Sequence, residues 1–140
     1  MFRIGETDFG IDGAKSSVSL RRKEGVVTIV AEIHGDEGEH QRVSDGESSP
    51  WFWTLYPPYF YLREFPVAVE GRGAFTARVT MEDLEDYDVA IYLMEHFDVD
   101  EVSIRVQGSL FTAEGIVLLS EKPLPFSIQF SMPEGEVTVR

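Results

Sequence analysis

Apolar residues recur at every second position in short runs broken by turn formers, and that period commits most of this 140-residue chain to strands. Val27, Ile29, Ala31 and Ile33 alternate with Thr28, Val30, Glu32 and His34. Glu24-Gly25 separates this run from Lys15 to Lys23, so the two read as a hairpin with one face turned inward. Farther on, Val102, Ile104 and Val106 alternate with Ser103, Arg105 and Gln107. Runs at Leu110 to Thr112, Ile116 to Ser120, Phe126 to Ser131 and Glu136 to Arg140 come at short intervals, with Glu114-Gly115 and Pro133-Glu134-Gly135 as turn signals.

Two stretches break the pattern. Residues 35–50 are mostly Gly, Ser, Asp, Glu and His with almost nothing apolar, which reads as an exposed acidic loop, since burial there cannot repay the entropy of ordering. Trp51 to Phe65 then carries eight aromatics, interrupted by Pro57-Pro58, which forbid a continuous helix or a central strand across that point. Tyr59 to Val69 is the better strand of this stretch. Gly71-Arg72-Gly73 supplies a turn, and Ala74 to Val79 returns.

Thr80 opens a predicted helix. Thr80 stands at the N-cap and Asp83 at the capping-box position, Val79 with Leu84 forms a hydrophobic staple, and Glu82, Asp83, Glu85 and Asp86 suit the positive end of the dipole. Leu84, Tyr87, Ala90, Ile91, Met94 and Phe97 share one arc at helical spacing. A strand competes, because Val89, Ile91 and Leu93 also alternate; the capping signals decide for the helix. The expected fold is therefore α+β: a single domain over 1–140, mostly antiparallel β-sheet, sandwich-like or a partly closed barrel, with one amphipathic helix near residues 81–97.

Composition narrows the function classes. No cysteine is present, which removes disulfides, thiolate metal sites and cysteine nucleophiles. With no apolar run of membrane-spanning length and no leader-like N-terminus, the expectation is a soluble, cytoplasmic protein. The formal charge is −13, and Val79 to Ile104 holds nine carboxylates with no Lys or Arg, a field that repels nucleic acid and anionic membrane and attracts basic partners.

Three constellations carry chemistry. Glu82, Asp83, Glu85, Asp86, Glu95, Asp98, Asp100 and Glu101 form a carboxylate-rich face suited to docking a basic protein partner, as small inhibitors and immunity proteins do against basic toxins. Trp51, Trp53, Tyr56, Tyr59 and Tyr61 offer an alternative, an aromatic platform for a sugar or an apolar small molecule, if they are not core. His34, Asp36, Glu39 and His40 are metal-ligand types in close sequence, but on a Gly-flanked loop rather than a rigid scaffold, and a solvated loop is the expected reading. No nucleophile elbow or phosphate loop is present. A hydrolase working through scattered carboxylates with His34 or His40 stands as a second alternative. The expectation is a non-enzymatic binding protein without a cofactor.

Overall fold

The computed structural model describes residues 1–36, 41–44, 52–55, 57–70, 74–80, 82–83, 87–93, 96–119 and 121–132. They form β1 (Phe2–Ile4), β2 (Thr7–Phe9), β3 (Ser17–Lys23), β4 (Val26–His34), β5 (Gln41–Ser44), β6 (Phe52–Leu55), β7 (Tyr59–Pro66), β8 (Ala68–Val69), β9 (Ala74–Thr80), β10 (Asp88–Tyr92), β11 (His96–Gln107), β12 (Leu110–Leu119) and β13 (Lys122–Ser131). Eleven strands make one antiparallel sheet in the order β2-β1-β13-β12-β11-β10-β7-β4-β3, with β9 also on β11 and β8 on β9; β5 and β6 pair apart.

The sheet curls into a half-barrel around one hydrophobic core. The inward residues of almost every strand meet there, among them Phe2, Ile4, Leu20, Ile29, Ile33, Phe60, Leu62, Phe75, Ile91, Phe97, Ile104 and Phe111, all fully buried. Each such side chain contributes on the order of 1.5–3 kcal/mol of apolar transfer. At one end the margins of the sheet meet: beyond β2, Ile11 bridges Gly35, Asp36 N donates to Gly10 O, and Asp12 N donates to His34 O at the end of β4.

Tight turns obey the predicted chemistry where it is simplest. Val26–His34 is the strand expected, and it pairs with β3 across Glu24 and Gly25, which take left-handed φ values of 54° and 80°. A two-residue link with φ positive at both positions matches the twist of the flanking strands.

Four expectations are corrected. Among the described residues there is no helix; the segment assigned to one holds β10 and the start of β11. Val89, Ala90 and Ile91 are buried in succession, all three paired to β7 and Ile91 also to β11, and a strand buried on both faces loses the alternation that marks it. Glu114-Gly115 is no turn, and the runs at Leu110 and Ile116 are one strand, β12, because Gly115 meets the bulge of β11 between Val99 and Glu101. A Cβ at position 115 would collide with the Glu101 carbonyl, so only glycine lets the two strands close there. Within the expected loop at 35–50, Gln41–Ser44 forms β5 against β6, while Gly35 N donates to Pro58 O. The turns expected at 71–73 and 133–135 and the strand at 136–140 lie outside the described residues.

The acidic segment gains its form from β11. β12 takes one edge of β11 along Asp98–Gln107, leaving the other to β9 and β10. Both run antiparallel to β11, β9 ending with Thr80 opposite Glu101, and β10 placing Ile91 opposite Phe97. They are therefore two halves of one strand line, interrupted by a break between Thr80 and Asp88. Its ends are tied down: Asp83 Oδ2 accepts from both Thr80 N and Thr80 Oγ1 at 3.0 Å, and Tyr87 packs edge-on against Phe65 with centroids 4.7 Å apart.

Candidate functional site

The break between β9 and β10 makes a junction beside β11: Thr80 stands opposite Glu101, Glu82 and Asp83 follow Thr80 in the chain, and Asp98 and Asp100 precede Glu101. Glu82 and Asp98 are exposed, and Asp83 is committed to Thr80. Asp100 is half-buried, and Glu101 pairs with Arg78 at 3.7 Å. Glu85, Asp86 and Glu95 lie outside the described residues.

Next to this junction the outer face of β4, β7 and β10 carries a polar aromatic cluster. Register explains it: Tyr59 of β7 stands opposite His34 on one side and Tyr92 on the other, Tyr61 opposite Glu32 and Ala90, and Arg63 opposite Asp88. Alternation sends Phe60 and Leu62 into the core and Tyr59, Tyr61 and Arg63 outward. The Tyr59 and His34 rings are 4.4 Å apart at their centroids, Tyr61 and Tyr92 are 5.3 Å apart and near-parallel, and Tyr59 and Tyr92 are 6.3 Å apart. Such cross-strand aromatic pairs stabilise a sheet by about 0.2–1 kcal/mol each.

Hydrogen bonds tie the cluster together across β7 and β10. The Tyr61 hydroxyl donates to Asp88 Oδ1 at 2.9 Å and lies 2.9 Å from the Tyr92 hydroxyl. Burial pushes the Tyr61 phenol well above its ordinary range, and its bonds to Tyr92 and Asp88 add to this. Tyr59 is raised mainly by burial and then by the Glu32 carboxylate, against the opposing pull of Arg63. Arg63 donates to Glu32 Oε1 at 2.9 Å, and its guanidinium carbon lies 5.3 Å from the Tyr61 ring centroid, within cation–π range.

A bulge aims that guanidinium. The β4–β7 register shifts so that Arg63 and Glu64 together oppose Val30, and Glu64 takes φ 55°. An extra residue in the left-handed region re-aims its neighbour, which here lets Arg63 reach back across Tyr61 to Glu32.

Of the aromatic platform, Tyr59 and Tyr61 are in this cluster. Trp53 lies in β6 opposite Val43, and Trp51 and Tyr56 lie outside the described residues. Of the metal-ligand types, His34 stacks on Tyr59, Asp36 packs on Gly10 at the joined margins, and Glu39 and His40 lie outside the described residues. Among the described residues no three metal-ligating side chains come together. Glu32, Arg63, Asp88 and Tyr92 were not singled out from sequence; reading 88–92 as a strand would have placed Asp88 and Tyr92 on one face.

Among the described residues no helix is long and apolar enough to cross a membrane. Comparison with protein-family models, with curated proteins and with solved structures gives no match.

Proposed function

We propose that this protein is a binding protein that docks a basic protein partner through one continuous surface, formed by the acidic junction at β9, β10 and β11 and the tyrosine cluster on β4, β7 and β10. The observation that carries this reading is Asp88, which belongs to both: it opens β10 after the break that follows β9, and it accepts from the Tyr61 hydroxyl. A tyrosine-rich centre beside a charged margin is the composition of an interface hot spot, in which aromatic side chains supply contact area and carboxylates speed encounter. The net charge of −13 makes an acidic partner or nucleic acid a poor fit.

The sugar-platform alternative draws less support. Tyr61 is only 9% exposed, with the Arg63 guanidinium over its ring, and a neutral pyranose taking that place would leave Glu32 without its charge partner. Converting Glu82, Asp98 and Asp100 to their amides tests the docking reading. The variant keeps its fold by circular dichroism, while association with the basic protein that copurifies from the host slows and loses salt dependence. An unchanged association rate, or a copurifying partner that is itself acidic, overturns the reading.

A further inference from the structure

We propose that the face formed by Glu32, Tyr59, Tyr61, Asp88 and Tyr92 is a guanidinium site, filled in the free protein by its own Arg63, and that an arginine side chain of the basic partner displaces Arg63 on docking. This deepens the docking reading and rests on it.

The resident group reports what the face accepts. Arg63 lies over the Tyr61 ring at 5.3 Å and donates to Glu32 at 2.9 Å, so ring and carboxylate together hold a planar cation. A guanidinium serves both at once, being flat enough to cover a ring while its N–H edge meets a carboxylate; an ammonium is a point charge and does not. The hold on Arg63 is weak. Its side chain is 53% exposed in the ion pair with Glu32, and exposed pairs of this kind are worth about 0–1 kcal/mol. It also stands beside Glu64, whose φ of 55° is costly for a side chain larger than glycine.

An incoming arginine inherits everything Arg63 leaves. It restores the charge partner of Glu32, covers Tyr61, and gains Asp88, an exposed carboxylate whose Oδ1 takes the Tyr61 hydroxyl. A neutral ligand such as a sugar would displace Arg63 and leave Glu32 uncompensated. Specificity for a cation therefore arises from the pair already present.

Calorimetric titration of the full chain with oligo-arginine and oligo-lysine peptides of equal length, at about 150 mM salt, tests the assignment. Oligo-arginine is expected to bind about two- to fivefold tighter than oligo-lysine. Arg63→Gln is expected to tighten arginine binding more than Arg78→Gln, which removes the same charge from the pair with Glu101. Glu32→Gln, which preserves volume, is expected to weaken arginine binding more than Glu114→Gln, and Tyr92→Phe keeps the ring should larger changes unfold the sheet.

Equal binding of the two peptides, or equal effects of Arg63→Gln and Arg78→Gln, overturns the guanidinium site. If that happens while the triple-amide variant still binds both peptides more weakly, docking through charge survives and only the site falls. If neither peptide binds the unmodified protein, both readings fall together.

Discussion

The Tyr61 hydroxyl donates to Asp88 and, its proton thus committed, receives that of Tyr92, so two phenols and one carboxylate form a single chain of hydrogen bonds between β7 and β10. Deprotonating Tyr61 would bring a second negative charge against Asp88 in a half-closed environment. Burial holds its phenol above the ordinary value of 10.0, and the bonds to Tyr92 and Asp88 and the Asp88 charge add to this. Between pH 10 and the folded pKa the unfolded chain has released this proton and the folded chain has not, so folding stability falls as pH rises. Stability from this group is complete at neutral pH and is lost above about 10. Denaturant midpoints across the alkaline range are expected to fall less steeply for Tyr61→Phe than for the unmodified protein; equal slopes would show that other groups govern the loss.

At neutral pH the same substitution removes a hydrogen-bond pair but keeps the ring. Tyr61→Phe is expected to cost about 0.5–1.5 kcal/mol in urea unfolding, and Asp88→Asn less, because an amide oxygen still accepts.

Gly115→Ala is expected to destabilise by about 1–3 kcal/mol, since overpacking must push β11 and β12 apart at the bulge. The added carbon meets the Glu101 carbonyl and lies 2.9 Å from Phe126 Cε1. Thermal unfolding checks this directly, and a neutral outcome would mean that the bulge between Val99 and Glu101 relaxes freely.

Glu24→Asn is expected to stabilise by about 1 kcal/mol, because Asn-Gly suits two successive left-handed residues and glutamate does not. Gly25 already sits at φ 80° in open space, and Glu24, at φ 54°, is exposed, so the change requires no repacking. A fall in melting temperature would contradict it.

Asp83→Ala frees both donors of Thr80 and is expected to cost about 1 kcal/mol, with the loss confined to the junction. Hydrogen exchange should show faster exchange near Thr80 and unchanged protection along β12 and β13; uniform loss of protection would place Asp83 in the global core instead.

Thr80 and Asp83 also mark the boundary between what neighbouring residues specify and what the rest of the fold decides. They do make the capping contact their spacing predicts, but a local cap specifies only a turn, and the conformation of the residues beyond it depends on what covers them. Val89, Ala90 and Ile91 run along β7, and Ile91 also pairs with β11, a circumstance that no window of neighbouring residues contains. Where one face stays wet, as along Val27 to Ile33, period-two alternation was enough to define the hairpin. The site divides in the same way. Tyr59 and Tyr61 stood out as aromatics in an extended run, whereas Tyr92 joins them only through the register Tyr92 opposite Tyr59, and Arg63 reaches Glu32 only through a bulge.

The joined margins bear on how this chain is made. β1 is held between β2 and β13, with Phe2 opposite Ile128 and Ile4 opposite Phe126, and that arrangement carries the Gly10–Asp12 segment to the barrel end it seals. A ribosome releases β1 long before β13, so Phe2 and Ile4 must wait, uncovered, until β13 emerges. Hairpins such as β3–β4 form as they emerge, but closure awaits the most distant pairing in the sheet, and topologies dominated by such pairings fold slowly. The nascent protein therefore carries an open apolar trough along its early strands, and the interval before β13 arrives is when it most needs a chaperone.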